Sequence, residues 1–537
     1  MTTQLNKKFF RSLKFAIVGC VALTSPALMA QGMSFGEDEV EAVTEMSPMG
    51  KVLEEGKALY NEEKFEEASL TFWKVIQDTD VAAEAFKPEA KYELGKTLFK
   101  LKLYHSALQI FGQIVDEGPS NPYFLPTLRG LVLLTDEVPE DPLLMQRLAA
   151  YAEFFPNEVP ERYRDRFAYL VGRHMYNELD IDEALRILGM VSTRSPDYAK
   201  ARYISGVAHV ANYEAAEAVD AFKEVLRFLV AKEEAGTLNE EEAQLLDMTN
   251  LGMARVFYST GGYDTSLKYY GRISRTSAQW PTALFESSWA YFQMDLYNKA
   301  LGNLLTINAP FFDTAYFPEG MILTAVLYFY NCKYDRVRYV LEGFDEQYVP
   351  IKAEIDSVVA KYSDDTEAMY KWLLDQRQGA TENYELVRVV NSALNDQQVQ
   401  RKVKLIEAIS EEKAALSEKS QTWKSSPLAR ALDTDLEVSA GFARSDAGMI
   451  AQQRLERASR ELENLVLEQK KIQFEVARAE KGEIEADLRA SMVVDRDVTD
   501  KPSVDVSDEE MYWTFDGEYW RDELGFYVFD VNSECKR

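Results

Sequence analysis

Three histidines and three cysteines in 537 residues leave little with which to hold a metal, because zinc and most transition-metal sites are built from those side chains. No metal or cofactor is expected. Basic charge is also short: 60 Lys and Arg stand against 89 Asp and Glu, a net charge of −29. Phosphate backbones are gripped by clustered Lys and Arg, so this balance argues against DNA or RNA as a partner. After the first thirty residues no apolar run reaches the length of a membrane span. What the chain does have is length for two to four domains. Its 46 % apolar and 12 % aromatic residues are too many for a wholly disordered chain.

Residues 1–30 read as a secretory signal peptide. Lys7, Lys8, Arg11 and Lys14 make a basic start, Phe15 to Thr24 a short apolar stretch, and Ser25-Pro26 a break before Ala27-Leu28-Met29-Ala30. Cleavage after Ala30 removes four positive charges and takes the net charge from −29 to −33. Ile17-Val18-Gly19-Cys20 also fits a bacterial lipobox, which would make Cys20 a lipidated N-terminus, although only five residues separate it from Lys14. The expected place is the periplasm, with membrane attachment only through a lipid on Cys20. Residues 31–49 form an acidic segment with no expected structure, carrying Glu37, Asp38, Glu39, Glu41 and Glu45.

Internal repetition dominates residues 50–350. Gly95, Leu98, Tyr104, Ala107, Phe111, Ile114 and Pro119 fall at the offsets of a tetratricopeptide repeat, a 34-residue helical hairpin. The same offsets recur at Gly56, Leu59, Phe65, Ala68, Phe72 and Val75, and again at Gly172, Ala184, Leu188, Val191 and Pro196. They continue through Gly206, Ala218, Phe222 and Val225, then Ala254, Phe257, Gly261, Tyr263, Tyr270 and Ile273. Two more sets follow, Tyr291, Tyr297, Ala300, Leu304 and Ile307, then Ala325, Tyr328, Tyr334 and Leu341. Ala184 to Ala218 and Ser266 to Ala300 are 34 residues each, while 77 residues from Ala107 to Ala184 leave room for a degenerate pair within Tyr123 to Pro156. The 48 residues from Ala218 to Ser266 contain an acidic insertion around Glu233-Glu234 and Glu240-Glu241-Glu242. Each hairpin can bury its apolar face only against its neighbours, so such an array shares one core.

Beyond Pro350 the pattern changes. Residues 351–385 read as a helical linker, and 386–490 as a helical coiled-coil hairpin. Its second arm has a heptad seam at Leu455, Ala458, Leu462, Leu465, Ile472, Val476 and Ala479, interrupted by Gln469. The first arm has a looser seam at Val399, Val403, Ile406 and Leu416, and breakers lie at Ser425-Ser426-Pro427 and Asp446 to Gly448. The arms would measure about 50 and 65 Å at 1.5 Å per residue. Pairing with a second copy, giving a homodimer, is the alternative. Residues 491–510 are an acidic linker, and 511–537 an aromatic tail. Tyr512-Trp513-Thr514-Phe515, Asp516-Gly517 and Glu518-Tyr519-Trp520 suggest a small β-hairpin. So short an element needs to dock on the helices. The fold class is therefore all-α, a repeat solenoid followed by a helical hairpin and a β-hairpin-like tail.

Enzyme motifs fail on context. Gly95-Lys96-Thr97 lacks the earlier glycine of a P-loop, where Ala90 stands, and Gly32-Met33-Ser34-Phe35-Gly36 follows no strand. Asp180-Ile181-Asp182 opens like a calcium loop, but Leu185 occupies the turn position that needs glycine. His105, His174 and His209 fall in different repeats. No catalytic residue is assigned. With Cys20 removed, Cys332 and Cys535 remain, either as a disulfide strapping the tail to the last repeat or as a buried thiol at Cys332 and a free or intermolecular one at Cys535. A loop that long contributes about 4–5 kcal/mol in the chain-entropy model.

In tetratricopeptide arrays the first helix of each repeat lines a concave face. Carried over to this chain, the partner-binding positions are Tyr169, Arg173, Tyr176, Tyr203, Arg255, Tyr258, Phe285, Trp289, Phe292, Phe329 and Tyr330. Aromatic and Arg anchors suit extended peptides; the same rings would also stack on sugars, and a third reading makes half of them packing residues. A narrower resemblance lies in Trp280-Pro281 through Trp289-Ala290-Tyr291-Phe292, Ala300-Leu301-Gly302-Asn303-Leu304 and Phe317-Pro318-Glu319. It extends to Asn331-Cys332 and Phe515-Asp516-Gly517-Glu518-Tyr519-Trp520. These stretches resemble the envelope repeat proteins of adventurous gliding bacteria, which implies a non-catalytic scaffold for protein partners in a periplasmic or outer-membrane-associated machine. An envelope glycan-binding module using the aromatic groove is the alternative. Intact-mass measurement of the exported protein should give an N-terminus at Gln31; a diacylated Cys20 would show lipoprotein processing instead.

Overall fold

The computed structural model describes residues 48–138, 142–151, 161–312, 316–380, 384–490, 517–529 and 531–535. The signal segment with Cys20, the acidic segment up to residue 47, the linker 491–510 and residues 511–516 lie outside them. Pro48 and Met49, expected at the end of the acidic segment, instead open the first helix.

Among the described residues sixteen helices form eight successive hairpins. They are α1 (Pro48–Asn61) with α2 (Phe65–Gln77), α3 (Lys87–Lys100) with α4 (Tyr104–Asp116), α5 (Phe124–Glu137) with α6 (Pro142–Ala150), and α7 (Glu161–Asn177) with α8 (Ile181–Leu188). Then follow α9 (Tyr198–Ala211) with α10 (Ala215–Glu234), α11 (Glu240–Ser259) with α12 (Tyr263–Tyr270), α13 (Trp280–Gln293) with α14 (Tyr297–Ile307), and α15 (Glu319–Tyr330) with α16 (Tyr334–Lys361). The degenerate pair is α5 and α6. The acidic insertion is neither loop nor extra element: α10 and α11 simply lengthen to 20 residues each. The chain divides into two compact units. The first holds the described residues up to Leu245 together with Gln397–Met449, the second those of Leu246–Asp396 and Ile450–Arg537.

One contact explains the hairpins. Gly56, Gly95, Gly172 and Gly206 lie against Phe72, Phe111, Leu188 and Phe222, always sixteen residues on, so closely that a Cβ would overlap the side chain. Ala254, Ser288 and Ala325 hold the same place opposite Tyr270, Leu304 and Leu341, all buried. Burying each large side chain contributes roughly 1.5–3 kcal/mol. Seven residues after the small residue, every one of these hairpins turns through a left-handed residue: Glu63, Lys102, Leu179, Tyr213, Gly261, Asp295 or Cys332. The next amide then donates back across the helix end, as from Leu103 to the Leu98 carbonyl and from Glu214 to that of His209. This is the six-to-one bond of a Schellman close.

The C-terminal helices depart from expectation. They are α17 (Thr366–Asp375), α18 (Tyr384–Leu394), α19 (Gln397–Glu418), α20 (Gln421–Lys424) and α21 (Pro427–Ala490). Pro350 ends nothing, since α16 runs through it. Asp446 to Gly448 is no break either: α21 is one helix of 64 residues, about 96 Å long. In the first unit α19 runs antiparallel to the start of α21, with ion pairs Lys402–Asp446 at 2.6 Å and Lys413–Glu437. In the second unit the heptad seam of α21 packs on its own repeats rather than on α19. Leu455, Leu462, Leu465, Ile472 and Val476 are buried, Gln469 donates to Asp345 at 2.7 Å, and Ser459 bonds Asp356 on α16. A heptad seam specifies an apolar partner but not which one.

α19 and α20 close the first hairpins. Glu412 accepts from the backbone amides of His105 at 2.7 Å and Ser106 at 2.9 Å, and from the Ser106 hydroxyl. It thereby caps α4, whose own N-cap residue Leu103 offers no side-chain acceptor. Trp423 is fully buried and donates to Ser69 at 2.9 Å.

The described part of the tail contains turns but no strand, and the first run of the expected β-hairpin, Tyr512 to Phe515, lies outside the described residues. The tail docks on α14 by donating from Phe529 to the Asn298 carbonyl, from Val531 to the Asn298 side chain and from Gly525 to Thr306. A Cβ on Gly302 would overlap the Tyr527 carbonyl. Leu524 is buried, and the Arg275 guanidinium lies 3.9 Å from the Phe526 ring centre. Cys332 and Cys535 are joined in a disulfide, with Cα atoms 5.0 Å apart.

Left-handed backbone costs a residue with a Cβ about 1–2 kcal/mol, part of which glycine returns through its freer unfolded chain. Lys102→Gly should therefore leave stability unchanged or raise it by up to about 1 kcal/mol, while Gly261→Val should lower it by about 1–2 kcal/mol. Denaturant titration of the two variants measures both effects.

Candidate functional site

The eleven residues expected on a concave groove are sorted by the structure into two kinds. Tyr169, Arg173, Tyr203, Phe285, Trp289 and Phe292 are buried, which corrects their assignment as an open binding surface. In the first unit the Arg173 guanidinium donates to the Tyr169 hydroxyl at 3.2 Å and lies 5.0 Å from its ring centre. Tyr203 packs at 5.7 Å on Phe222, the ring that closes its hairpin. In the second unit Phe285 stacks on Phe317 at 5.0 Å, and Phe292 meets Trp289 at 5.9 Å and Tyr330 at 5.2 Å, both edge to face. Phe285 and Phe292 thus pack against the next hairpin, while Tyr203 packs within its own.

Tyr176, Arg255, Tyr258, Phe329 and Tyr330 remain partly accessible. Tyr176 belongs to the first unit, and the other four lie in the second on α11 and α15. His105, His174 and His209 stay in three separate hairpins. Burial lowers the pKa of His174, and His209 Nδ1 lies 2.7 Å from Glu214.

Buried carboxylates in the second unit were not foreseen. Arg255 clamps Glu286 with Nη2–Oε1 at 2.6 Å and Nε–Oε2 at 3.0 Å, and Tyr270 donates to the same carboxylate at 3.0 Å. Burial, with the Glu286 charge beside it, holds the Tyr270 hydroxyl well above its usual pKa. Glu319, at the first turn of α15, has no such clamp. Burial pushes its pKa to about 8, helped by the Glu468 and Glu461 charges on α21, while a hydrogen bond from Trp289 pulls the other way. Glu468 is raised as well, by burial against the opposing Lys471 charge. Glu461 and Glu468, the charges that act on Glu319, are more than 140 residues away in the chain.

A second feature lies in the first unit, where the lengthened end of α10 forms an open cleft of about 500 Å³. Tyr198, Arg227, Phe228, Lys232 and Thr237 line it. Tyr198 and Arg202 both donate to Glu224, at 2.8 and 2.7 Å, and Lys232 pairs with Glu242. Among the described residues no cluster of His, Cys, Asp and Glu has the arrangement of a metal site. No described helix is long and apolar enough to cross a membrane.

The folded chain holds the Glu319 proton to about pH 8, against 4.5 for an ordinary glutamic acid. The unfolded state therefore binds fewer protons across that window, and stability falls as pH rises from 4.5 to 8. Thermal unfolding should show a lower Tm at pH 8.5 than at pH 6, with Glu319→Gln shrinking the difference. No family model and no curated protein matches this chain. Among solved structures, apo RapI is similar with 11 % identity and a TM-score of 0.33 over 74 % of this chain and 98 % of that one. The Cut9–Hcn1 hetero-tetramer of the APC/C is similar with 13 % identity and a TM-score of 0.26, over 72 % and 76 %. The paired helices, their small-to-large contact and their left-handed turns make this an all-α protein of tetratricopeptide-like repeats.

Proposed function

We propose that the chain is a non-catalytic, exported scaffold that holds protein partners of a bacterial cell-envelope complex. What supports this reading is the division of side chains within each repeat. The small-to-large contact and the turn recur in seven of the eight hairpins, while the partly accessible first-helix residues differ from one hairpin to the next. A repeated frame carrying varied, partly accessible side chains is how solenoid repeats build binding surfaces. Tyr258, Phe329 and Tyr330 are aromatic contacts of this kind, and Arg255 presents the rest of a guanidinium already anchored on Glu286. Export rests on the N-terminal segment, and a place in a gliding machine rests on the sequence resemblance alone.

The glycan reading needs open aromatic faces, and Trp289, the largest ring of the set, is buried. The homodimer reading through the α21 seam is weakened for a similar reason, because that seam is already covered within the chain.

Crosslinking the full-length protein in cells, followed by mass spectrometry, tests the proposal. The expected result is a small recurring set of exported envelope proteins, recovered several-fold less with Tyr258→Ala and Phe329→Ala combined. Absence of protein adducts, with envelope polysaccharide co-purifying and changing tryptophan fluorescence, would overturn it.

A further inference from the structure

The seven left-handed turns do not carry equivalent side chains. Five present Glu63, Lys102, Gly261, Asp295 and the disulfide-bonded Cys332. The other two present Leu179 and Tyr213, which are 81 % and 94 % exposed. Bulky apolar residues are poorly suited to this position on two separate grounds. Left-handed backbone disfavours their Cβ, and exposure leaves their apolar area in water. Packing requires the left-handed turn in each of these hairpins but not the side chain it carries, so two large exposed side chains at that place have no role in holding the fold. Leu179 and Tyr213 also occupy the same turn of consecutive hairpins whose first helices, α7 and α9, pack together. Both belong to the first unit.

The surroundings of the two tips carry one sign of charge. No Lys or Arg occurs between His174 and Leu185, or between Val207 and Phe222. Glu178, Asp180, Asp182 and Glu183 flank the first tip, and Glu214 and Glu217 the second. Arg186 holds Glu183, and Asp180 caps α8 through the Glu183 amide. Glu214 lies 2.7 Å from His209 Nδ1, and the exposed Glu178, Asp182 and Glu217 leave the rim negative.

We propose that Leu179 and Tyr213 form a docking edge for a basic protein segment, one that sets apolar residues among lysines and arginines. The apolar tips supply the contact area and the carboxylate rim selects the charge, an arrangement that steers and orients a cationic partner. The proposal rests on the scaffold reading and adds the place of contact and the chemistry of what binds. It also moves that contact from the first-helix groove to the edge where the hairpins turn.

The test places p-benzoylphenylalanine at position 213 of the full-length protein, with position 102 as the equivalent turn of another hairpin and position 258 as a groove site. After irradiation in cells, mass spectrometry should map the adduct at 213 to a segment of net positive charge containing apolar residues. Adding Leu179→Gly should lower its yield about tenfold, as expected for loss of one anchor. Separately, Leu179→Gly with Tyr213→Gly should leave Tm unchanged or raised, because each glycine relieves a left-handed side chain. A contacted segment that is acidic or neutral, a second copy of this chain, equal adducts at 102, or a lowered Tm would each overturn the docking edge. Adducts at 258 but none at 213 would overturn the edge and leave the scaffold standing; adducts at neither would overturn both.

Discussion

A single close contact, a residue with little or no side chain against a large one sixteen residues later, governs the repeats. It lets the two helices of a hairpin approach more nearly than ordinary side chains allow, and so fixes where the turn between them must fall. The left-handed residue then comes seven positions after the small one in every case, whatever its chemistry. Glu63, Tyr213 and Asp295 accept an unfavourable backbone because the packing on either side leaves the chain no other route. Local preference yields here to a tertiary demand repeated along the sequence.

Once the hairpins are that tight, the remaining questions are how their outer faces and helix ends are satisfied. α8 answers locally, with Asp180 as its cap. α4 has only Leu103 at that place and takes its acceptor from Glu412, 307 residues away from His105. Burial raises the pKa of Glu412, and bonds from Ser106 and the backbone of His105 and Tyr104 act against that rise. In the second unit the tail lies on α14, where Gly302 leaves room for backbone directly on the helix, and the disulfide fixes the tail's end to the turn between α15 and α16. Both arrangements hold sequence-distant segments by specific polar groups rather than by apolar area alone.

The repeats were legible because their signal is local. Gly95 and Phe111, or Gly206 and Phe222, lie within one hairpin, and their spacing survives substitution elsewhere. Even the degenerate pair could be placed by counting, though not the lengthening of α10 and α11. The long helix was misread at Asp446 to Gly448 because glycine is a weak breaker when the residues around it favour helix. Its heptad seam was visible, but periodicity identifies a buried face without naming what buries it. The groove suffered the same ambiguity: Trp289 and Tyr203 look identical in sequence whether they face a ligand or the protein's own packing. Glu319, Glu286 and Glu412 carried no signal of their importance, since the setting of a carboxylate is defined by neighbours that only the fold supplies.

The return of the C-terminal helices has a consequence for the order in which the molecule can be finished. Ser69 and the start of α4 lie near the beginning of the chain, yet Trp423 and Glu412 arrive only after some three hundred further residues have been made. Thr306 and Asn298 likewise await Gly525 and Val531. A chain threaded from its N-terminus would emerge with its earliest hairpins formed but unsealed, and closing them involves loops whose entropy must be overcome before the contacts form. Each unit is thus completed from the far end of the polypeptide, and a chain cut short before residue 412 would lack the groups that seal its first two repeats.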